Sequence, residues 1–272
     1  MKKQNKKGYM LMAAVTMVFT LLAGCGQQET DAALVLEQGQ SDLEYVQSKG
    51  TLVVGITDFA PMDYREGEEW TGFDADLAKN FGQSLGVAVE FKEIDWNKKT
   101  QLLEQGSIDC VWNAMTMTKE LQETISCSSP YLSNAQVVVM RSSEMAQYST
   151  MEACQHLLFA VESGSVGESL LKEKNYRYTT FPTQMEALQS VREKKADATV
   201  IDIIMAAYDT GEEREFDDLG FDIAINDEMI CVGFRKDSDL IERVNSFLTA
   251  SYEDGTIQSL ADKYRIKSAL LD

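Results

Sequence analysis

One histidine, His156, and five cysteines are all that this chain of 272 residues holds of those two residue types. A Ser-His-Asp relay needs a histidine beside its nucleophile, and a His-rich metal site needs several. The composition argues against both. Cys110, Cys127, Cys154 and Cys231 follow no zinc spacing. Cys110 and Cys231 sit in apolar, strand-like runs where a thiol packs as a small hydrophobe, so mostly free thiols are expected. The remaining chemistry is that of carboxylates and aromatic rings. Asp202 directly follows the apolar run Ala198–Ile201, where it either faces a ligand or caps the next helix. Phe59 follows an Asp in a loop and Trp96 opens a helix, both poor core positions, and aromatic faces cover apolar stems and attract cations. Ser163-Gly164-Ser165 leads into a helix whose N-terminus is either a ready anion site or simply capped. Asp58 and Glu162 stand near these groups, as site acids or as solvated surface.

The elements that must position these residues alternate regularly. Thr51–Thr57, Val87–Lys92 and Ile108–Trp112 read as strands, separated by helices over Asp74–Leu85 and Trp96–Gln105 that stop at Gly86 and Gly106. A short helix over Ser41–Lys49 precedes them. After Pro130 the order repeats, with strands at Val137–Arg141, Leu157–Val161, Tyr178–Phe181 and Ala198–Ile201. Capping boxes open helices at Ser165/Glu168 and at Thr183/Glu186. Ile203–Thr210 is helical, Met229–Phe234 is a further strand, and helices Asp239–Glu253 and Thr256–Tyr264 close the pattern. Such alternation predicts parallel sheets covered on both faces. An echo between Leu102–Asp109 and Leu188–Asp197 points to two similar α/β lobes of about 95–135 residues rather than one continuous sheet. Ligands collect at strand carboxyl ends in such sheets, and two lobes put that crevice between them.

Lys+Arg number 25 against 44 Asp+Glu, a formal charge of −19. Lys2, Lys3, Lys6 and Lys7 form a basic region before an apolar run, Tyr9–Ala23, too short to cross a bilayer comfortably and suited to a secretory leader. Without those four lysines, 21 basic residues face 44 acidic ones, or −23. That balance argues against nucleic-acid binding, which needs clustered cations. The polar, Gln/Glu-rich segment that follows reads as a tether.

Several motifs in collinear order carry a family resemblance. They are Val54–Pro61, Thr71–Ala78, Gly106–Cys110, Met115–Thr118, Ser128–Tyr131, Ser163–Gly167, Ala196-Asp197-Ala198 with Asp202, and Asp254–Ile257. Together they resemble the extracellular solute-binding proteins of amino-acid ABC transporters, family 3. Leu21-Leu22-Ala23-Gly24-Cys25 likewise resembles a bacterial lipobox. The resemblance implies a two-lobed α/β fold of the type II periplasmic-binding class, with a two-strand hinge near Ala135 and Glu228. Its implied parts are a signal peptide at 1–24, a tether at 25–40, lobe 1 from 41–134 plus 229–272, and an inserted lobe 2 from 135–228. It implies diacylation of Cys25, a membrane-anchored extracytoplasmic monomer on the outer face of the cytoplasmic membrane, an ABC permease as partner, and no enzyme activity, cofactor or metal. Carried over residue by residue, Phe59 and Trp96 flank the ligand side chain and Asp202 takes its α-ammonium. Ser163, Gly164, Ser165 and Val166 offer backbone N–H groups, Asn113, Ala114, Met115 and Thr116 form a contacting strand end, and Asp58 lies at the mouth. One position departs from the pattern. Leu121 stands where amino-acid binders of this family carry the arginine that grips the α-carboxylate bidentately. Three explanations stay open: the Ser165 loop with Lys119 holds the carboxylate; another arginine, Arg65 or Arg141, reaches in; or the ligand is an amine or modified amino acid lacking that group. A dehydratase-like enzyme and a sensory module on the same fold are the rival functions.

Overall fold

The structure, a computed structural model, describes residues 40–271. The expected signal segment 1–24, Cys25 and the tether as far as residue 39 lie outside the described residues. In chain order the first elements are α1 (Asp42–Lys49), β1 (Thr51–Ile56), β2 (Tyr64–Glu66), β3 (Glu69–Thr71), α2 (Phe73–Leu85), β4 (Ala88–Glu93), α3 (Lys99–Glu104), β5 (Cys110–Thr116), α4 (Lys119–Thr124), β6 (Ser126–Cys127) and β7 (Leu132–Asn134). They continue with β8 (Gln136–Arg141), β9 (Leu158–Glu162), α5 (Val166–Glu173), β10 (Arg177–Phe181), α6 (Gln184–Arg192), β11 (Ala198–Asp202), α7 (Ile203–Asp209), β12 (Leu219–Ala224), β13 (Glu228–Phe234), α8 (Leu240–Glu253) and α9 (Thr256–Lys263).

Two large sheets result. One runs β4-β1-β5-β13-β6, with β7 paired to the start of β13; the other runs β10-β9-β11-β8-β12. Every strand of the second sheet comes from the chain between β7 and β13, so the chain passes between the sheets at Asn134–Gln136 and again at Ala224–Glu228. The expected all-parallel pairing holds only in part. β1 is parallel to β4 and β5, and β9 to β10 and β11, but β8 and β13 pair antiparallel to their neighbours. These two strands follow the passages between sheets, so no helix covers a return crossover before them and nothing requires the parallel sense.

Period-two alternation sorts each strand between two packed layers. Val137 and Val139 of β8 face the main core with Ala187, Leu188 and Val191 of α6, while Val138 and Met140 face Phe159, Val161 and Leu171. In the other sheet Leu52, Val54 and Ile56 pack under Phe73, Leu77 and Phe81 of α2, and Val111 turns instead to Leu103 and Ile108. Caps set the helix ends. Ser41 and Glu44 form a complete capping box on α1, and Gly50 closes it in the left-handed region. Ser165 Oγ accepts from Glu168 N–H, but the Glu168 carboxylate returns to Gly164 N–H, one residue earlier than a capping box places it. Thr183 caps α6 through Glu186 N–H. Cys110, Cys154 and Cys231 are buried, Cys127 is half-buried, and all four are free.

A buried ion cluster ties the first strand to the chain's later half. Arg235, 9 % exposed, donates to Asp42 Oδ1 at 2.9 and 3.1 Å and to Ile108 O at 2.9 Å, with Asp109 Oδ1 at 3.6 Å. Asp109 also accepts from Lys49 at 2.6 Å and from Val53 N–H at 2.7 Å.

Candidate functional site

The carboxyl ends of β1, β5, β9 and β11 turn towards one another, as the crevice rule for open α/β sheets requires. Two neighbouring cavities fill the space. The larger, about 280 Å³, is lined by Trp96, Lys99, Ala114–Thr116, Leu121, Gln136, Gly164–Val166, Gln184 and Asp202, with Thr118, Glu120, Thr124 and Ser169 around them. The smaller, about 10 Å³, is bounded by Thr57, Asp58, Phe59, Asn113 and Glu162 and shares Trp96 and Gln184 with the first.

Asp202 ends β11, only 4 % exposed, and its carboxylate's partners are all amides: Gln136 at 3.1 Å, Asn134 and Gln184. Its side chain does not cap α7, so the expected helix-capping role is not filled. Glu228, at the start of β13, accepts from the same two amides, Asn134 at 3.0 Å and Gln136 at 3.1 Å, and from Thr116 Oγ1 at 2.8 Å. Two carboxylates thus share donors at the passages between sheets. Burial, with Glu228 beside it, pushes Asp202 up to about 7. Glu162, also buried and repelled by Asp202, is pushed up to about 8. A cation placed among these acids would return both to the charged form.

The strand end at Asn113–Thr116 is held in an unusual shape. Ala114 has φ of 45°, and its N–H donates to the buried Asp74 carboxylate at 2.6 Å, which also accepts from Tyr131 at 2.7 Å. A left-handed alanine persists only where its surroundings over-determine it, and such residues cluster at ligand clamps. Opposite lies the loop before α5. Gly164 has φ of 75° and its carbonyl accepts from Lys99 Nζ at 3.1 Å. Lys99 also donates to Trp96 O at 3.2 Å and stands 4.5 Å above the Trp96 ring centroid. Burial lowers its ammonium to about 8, against the pull of Glu162 and Asp95.

Most residues expected from the sequence line these cavities: Trp96, Ala114, Met115, Thr116, Leu121, Gly164, Ser165, Val166 and Asp202 the larger, Asp58, Phe59 and Asn113 the smaller. Ser163 borders neither; its N–H pairs with Phe181 O at 2.9 Å. The Asn113 amide is taken up by Thr57 and by Asp63 at 2.7 Å, which makes it a brace for β1 and not a free ligand donor. Neither proposed substitute arginine reaches in. Arg141 is bound to Glu144, Val191 O and Ala196 O at the far end of β8, and Arg65 lies over Trp70. Lys119 does not line that cavity but borders an adjoining groove with Glu228 and Met229, which shares Thr116, Thr118 and Val166 with it. Sequence reasoning did not name Lys99, Gln136 or Gln184, and placed Glu228 only at the hinge. Lys99 was findable, because it lies three residues after Trp96 and so on the same helical face. Gln184 was hidden by reading its neighbour Thr183 as a cap. Among the described residues no three His, Cys, Asp or Glu side chains gather to hold a metal ion.

Residues 52–267 match the family model of the bacterial extracellular solute-binding proteins, family 3. The chain belongs to that family. The arginine-binding extracellular protein ArtP of Bacillus subtilis (strain 168) is 27 % identical over 269 residues, 95 % of this chain and 98 % of its own. The structure of an ABC uptake transporter substrate-binding protein from Streptococcus pneumoniae with bound histidine superposes with a TM-score of 0.79 at 26 % identity, covering 87 % of this chain and all of that one (100 %). A cyclohexadienyl dehydratase of Pseudomonas aeruginosa is 26 % identical over 181 residues, 64 % of this chain and 68 % of its own. The two-lobed α/β architecture of the type II periplasmic-binding class follows for this family member, with the cavities between the lobes.

Proposed function

We infer that this protein is an extracytoplasmic substrate-binding protein that captures a small amino acid, preferably one with a cationic side chain, and delivers it to an ABC permease. One observation carries the reading: Asp202 is a buried carboxylate whose partners are all amide donors, and it lines a cavity to which both sheets contribute. A ligand α-ammonium supplies the missing positive charge. Asp58 and Glu162 around the smaller cavity, with Phe59 and Trp96 beside them, suit a cationic side chain extending from it. Relatives named for arginine and crystallised with histidine support this choice.

In this reading lobe 1 is 41–134 with 229–272, lobe 2 is 135–228, and the two passages between sheets are the hinge. Closure about that hinge brings the Gly164 loop onto Trp96–Lys99 and buries the ligand. Diacylation of Cys25 holds the protein at the outer face of the cytoplasmic membrane, since two acyl chains anchor stably where one does not. The ligand leaves unaltered, and no residue has a catalytic role.

Leu121 favours a second reading, in which the ligand is an amine or modified amino acid without a free α-carboxylate. A thermal-shift screen over the L-amino acids, L-cystine and their decarboxylated amines tests both, because a ligand bound only to the folded state raises the melting temperature. At least one amino acid should produce a shift that Asp202→Ala abolishes. A response to amines alone selects the second reading, and silence across the panel removes both.

A further inference from the structure

Leu121, where the family resemblance implies an arginine, brings no charge to the larger cavity, yet the cavity is not without a cation. Among the described residues lining the larger cavity, Lys99 is the one positively charged side chain. An ammonium has three N–H donors. Two are placed, on Trp96 O at 3.2 Å and Gly164 O at 3.1 Å, which leaves one for an anion. The Gly164 contact also fixes where the charge stands: beside the loop that opens α5. The first N–H groups of that helix, on Val166 and Gly167, have no intrahelical acceptor, while Ser165 Oγ already serves Glu168 N–H. Val166 and Ser165 line the same cavity. An ammonium and a helix N-terminus therefore attract negative charge to one place, and Asp202 with Gln136 and Gln184 offers the opposite charge within the same space. That layout fits a zwitterion.

Resting on the amino-acid-binding reading above, the geometry points to Lys99 as the residue that takes the ligand's α-carboxylate, together with the N–H of Val166, in place of the arginine that the family resemblance puts at Leu121. Lysine meets a carboxylate as a point charge where arginine meets it as a fork. The Val166 N–H at the helix N-terminus supplies the directional hydrogen bond that the lysine lacks. The lysine is also tethered at both ends of the contact, to Trp96 on its own lobe and to Gly164 on the other, so the carboxylate site is complete only when the two come together.

The test compares each amino acid with its carboxamide, which keeps the ammonium and side chain and removes only the negative charge. L-Arginine and L-argininamide, then L-histidine and L-histidinamide, are titrated calorimetrically into the purified protein, followed by the same pairing for any other amino acid that binds. The native protein should prefer the acid on the order of ten- to a hundredfold, the range of one charge-assisted contact. Lys99→Gln should bring that ratio close to one, and Lys99→Arg should keep most of it. Because acid and amide drive the same closure, a change in the ratio does not reflect the loss of the Gly164 hydrogen bond or a general loss of fold. A Lys99→Gln ratio equal to the native one overturns the assignment, as does a native protein that binds acid and amide alike. A native protein that binds no amino acid at all refutes the receptor reading itself, and the Lys99 assignment with it.

Discussion

Gly164→Ala separates the cost of a residue's own backbone from the cost of a closed cleft. The glycine has φ of 75°, and a Cβ there would meet Asn97 Oδ1 at 2.8 Å, Asn97 Cα at 2.9 Å and Asn97 Cβ at 3.2 Å. The first cost is local: an alanine in the left-handed region loses about 1–2 kcal/mol whether the cleft is open or shut. For a body of this size that lowers the melting temperature by roughly 2–8 °C, at about 2–4 °C per kcal/mol. The second cost arises only when the loop rests on Asn97, one of whose close atoms is backbone and cannot swing aside. Overpacking of that kind costs about 1–3 kcal/mol, which weakens ligand binding roughly five- to 150-fold. Gly50→Ala is the control, since Gly50 has φ of 72° and nothing within 4 Å of the added Cβ. It should lower the melting temperature similarly and leave binding untouched. Calorimetric titration with the best amino acid from the screen, alongside thermal melts, reads both quantities. If Gly164→Ala loses stability yet binds as tightly as the native protein, the Gly164–Asn97 contact is not part of the bound state and the closure argument fails.

Asp202 keeps its proton up to about pH 7 in the folded protein but loses it near 3.8 when unfolded. Its contribution to stability is therefore full below pH 3.8 and is lost as pH rises through 7, a change on the order of 4 kcal/mol. Asp202→Asn should flatten the urea-measured stability profile between pH 4 and 8 by that amount; parallel profiles would refute the cause given for the shift. Ligand affinity of the native protein should rise as pH passes upward through about 7, because the ammonium needs the ionised carboxylate, and fall again above about 8 as Lys99 loses its proton; titrations at pH 5.5, 7.5 and 9 read both limbs. Arg235→Ala strands the buried carboxylate of Asp42, while Asp109 keeps Lys49, and should cost about 3–5 kcal/mol in urea unfolding without altering ligand specificity. Cys25→Ser should abolish metabolic palmitate labelling and release the protein from membranes, whereas labelling that persists would rule out Cys25 as the lipid site.

The alternation of strands and helices, the caps and the place of Asp202 could be read from the chain, because hydrophobic period, cap chemistry and position after an apolar strand are local properties, whereas most other cavity-lining residues came from the family resemblance. Ala198–Ile201 followed by Asp202 needed no neighbours to mark a strand's carboxyl end. Strand sense was not local: β8 and β13 run antiparallel because the chain crosses between sheets just before each, and nothing in Val137–Arg141 or Met229–Phe234 records that. The charge state of the site was not local either. Asp202 and Glu228 lie 26 positions apart and share Asn134 and Gln136 only in the folded protein. Lys99 likewise meets Gly164, 65 positions away, only once the lobes are built. The family resemblance, read from the sequence, marked Leu121 as the place where an arginine was expected. Which cation stands in the cavity instead was decided by tertiary structure, since electrostatic partnership depends on distance and burial, and both exist only after the chain has folded.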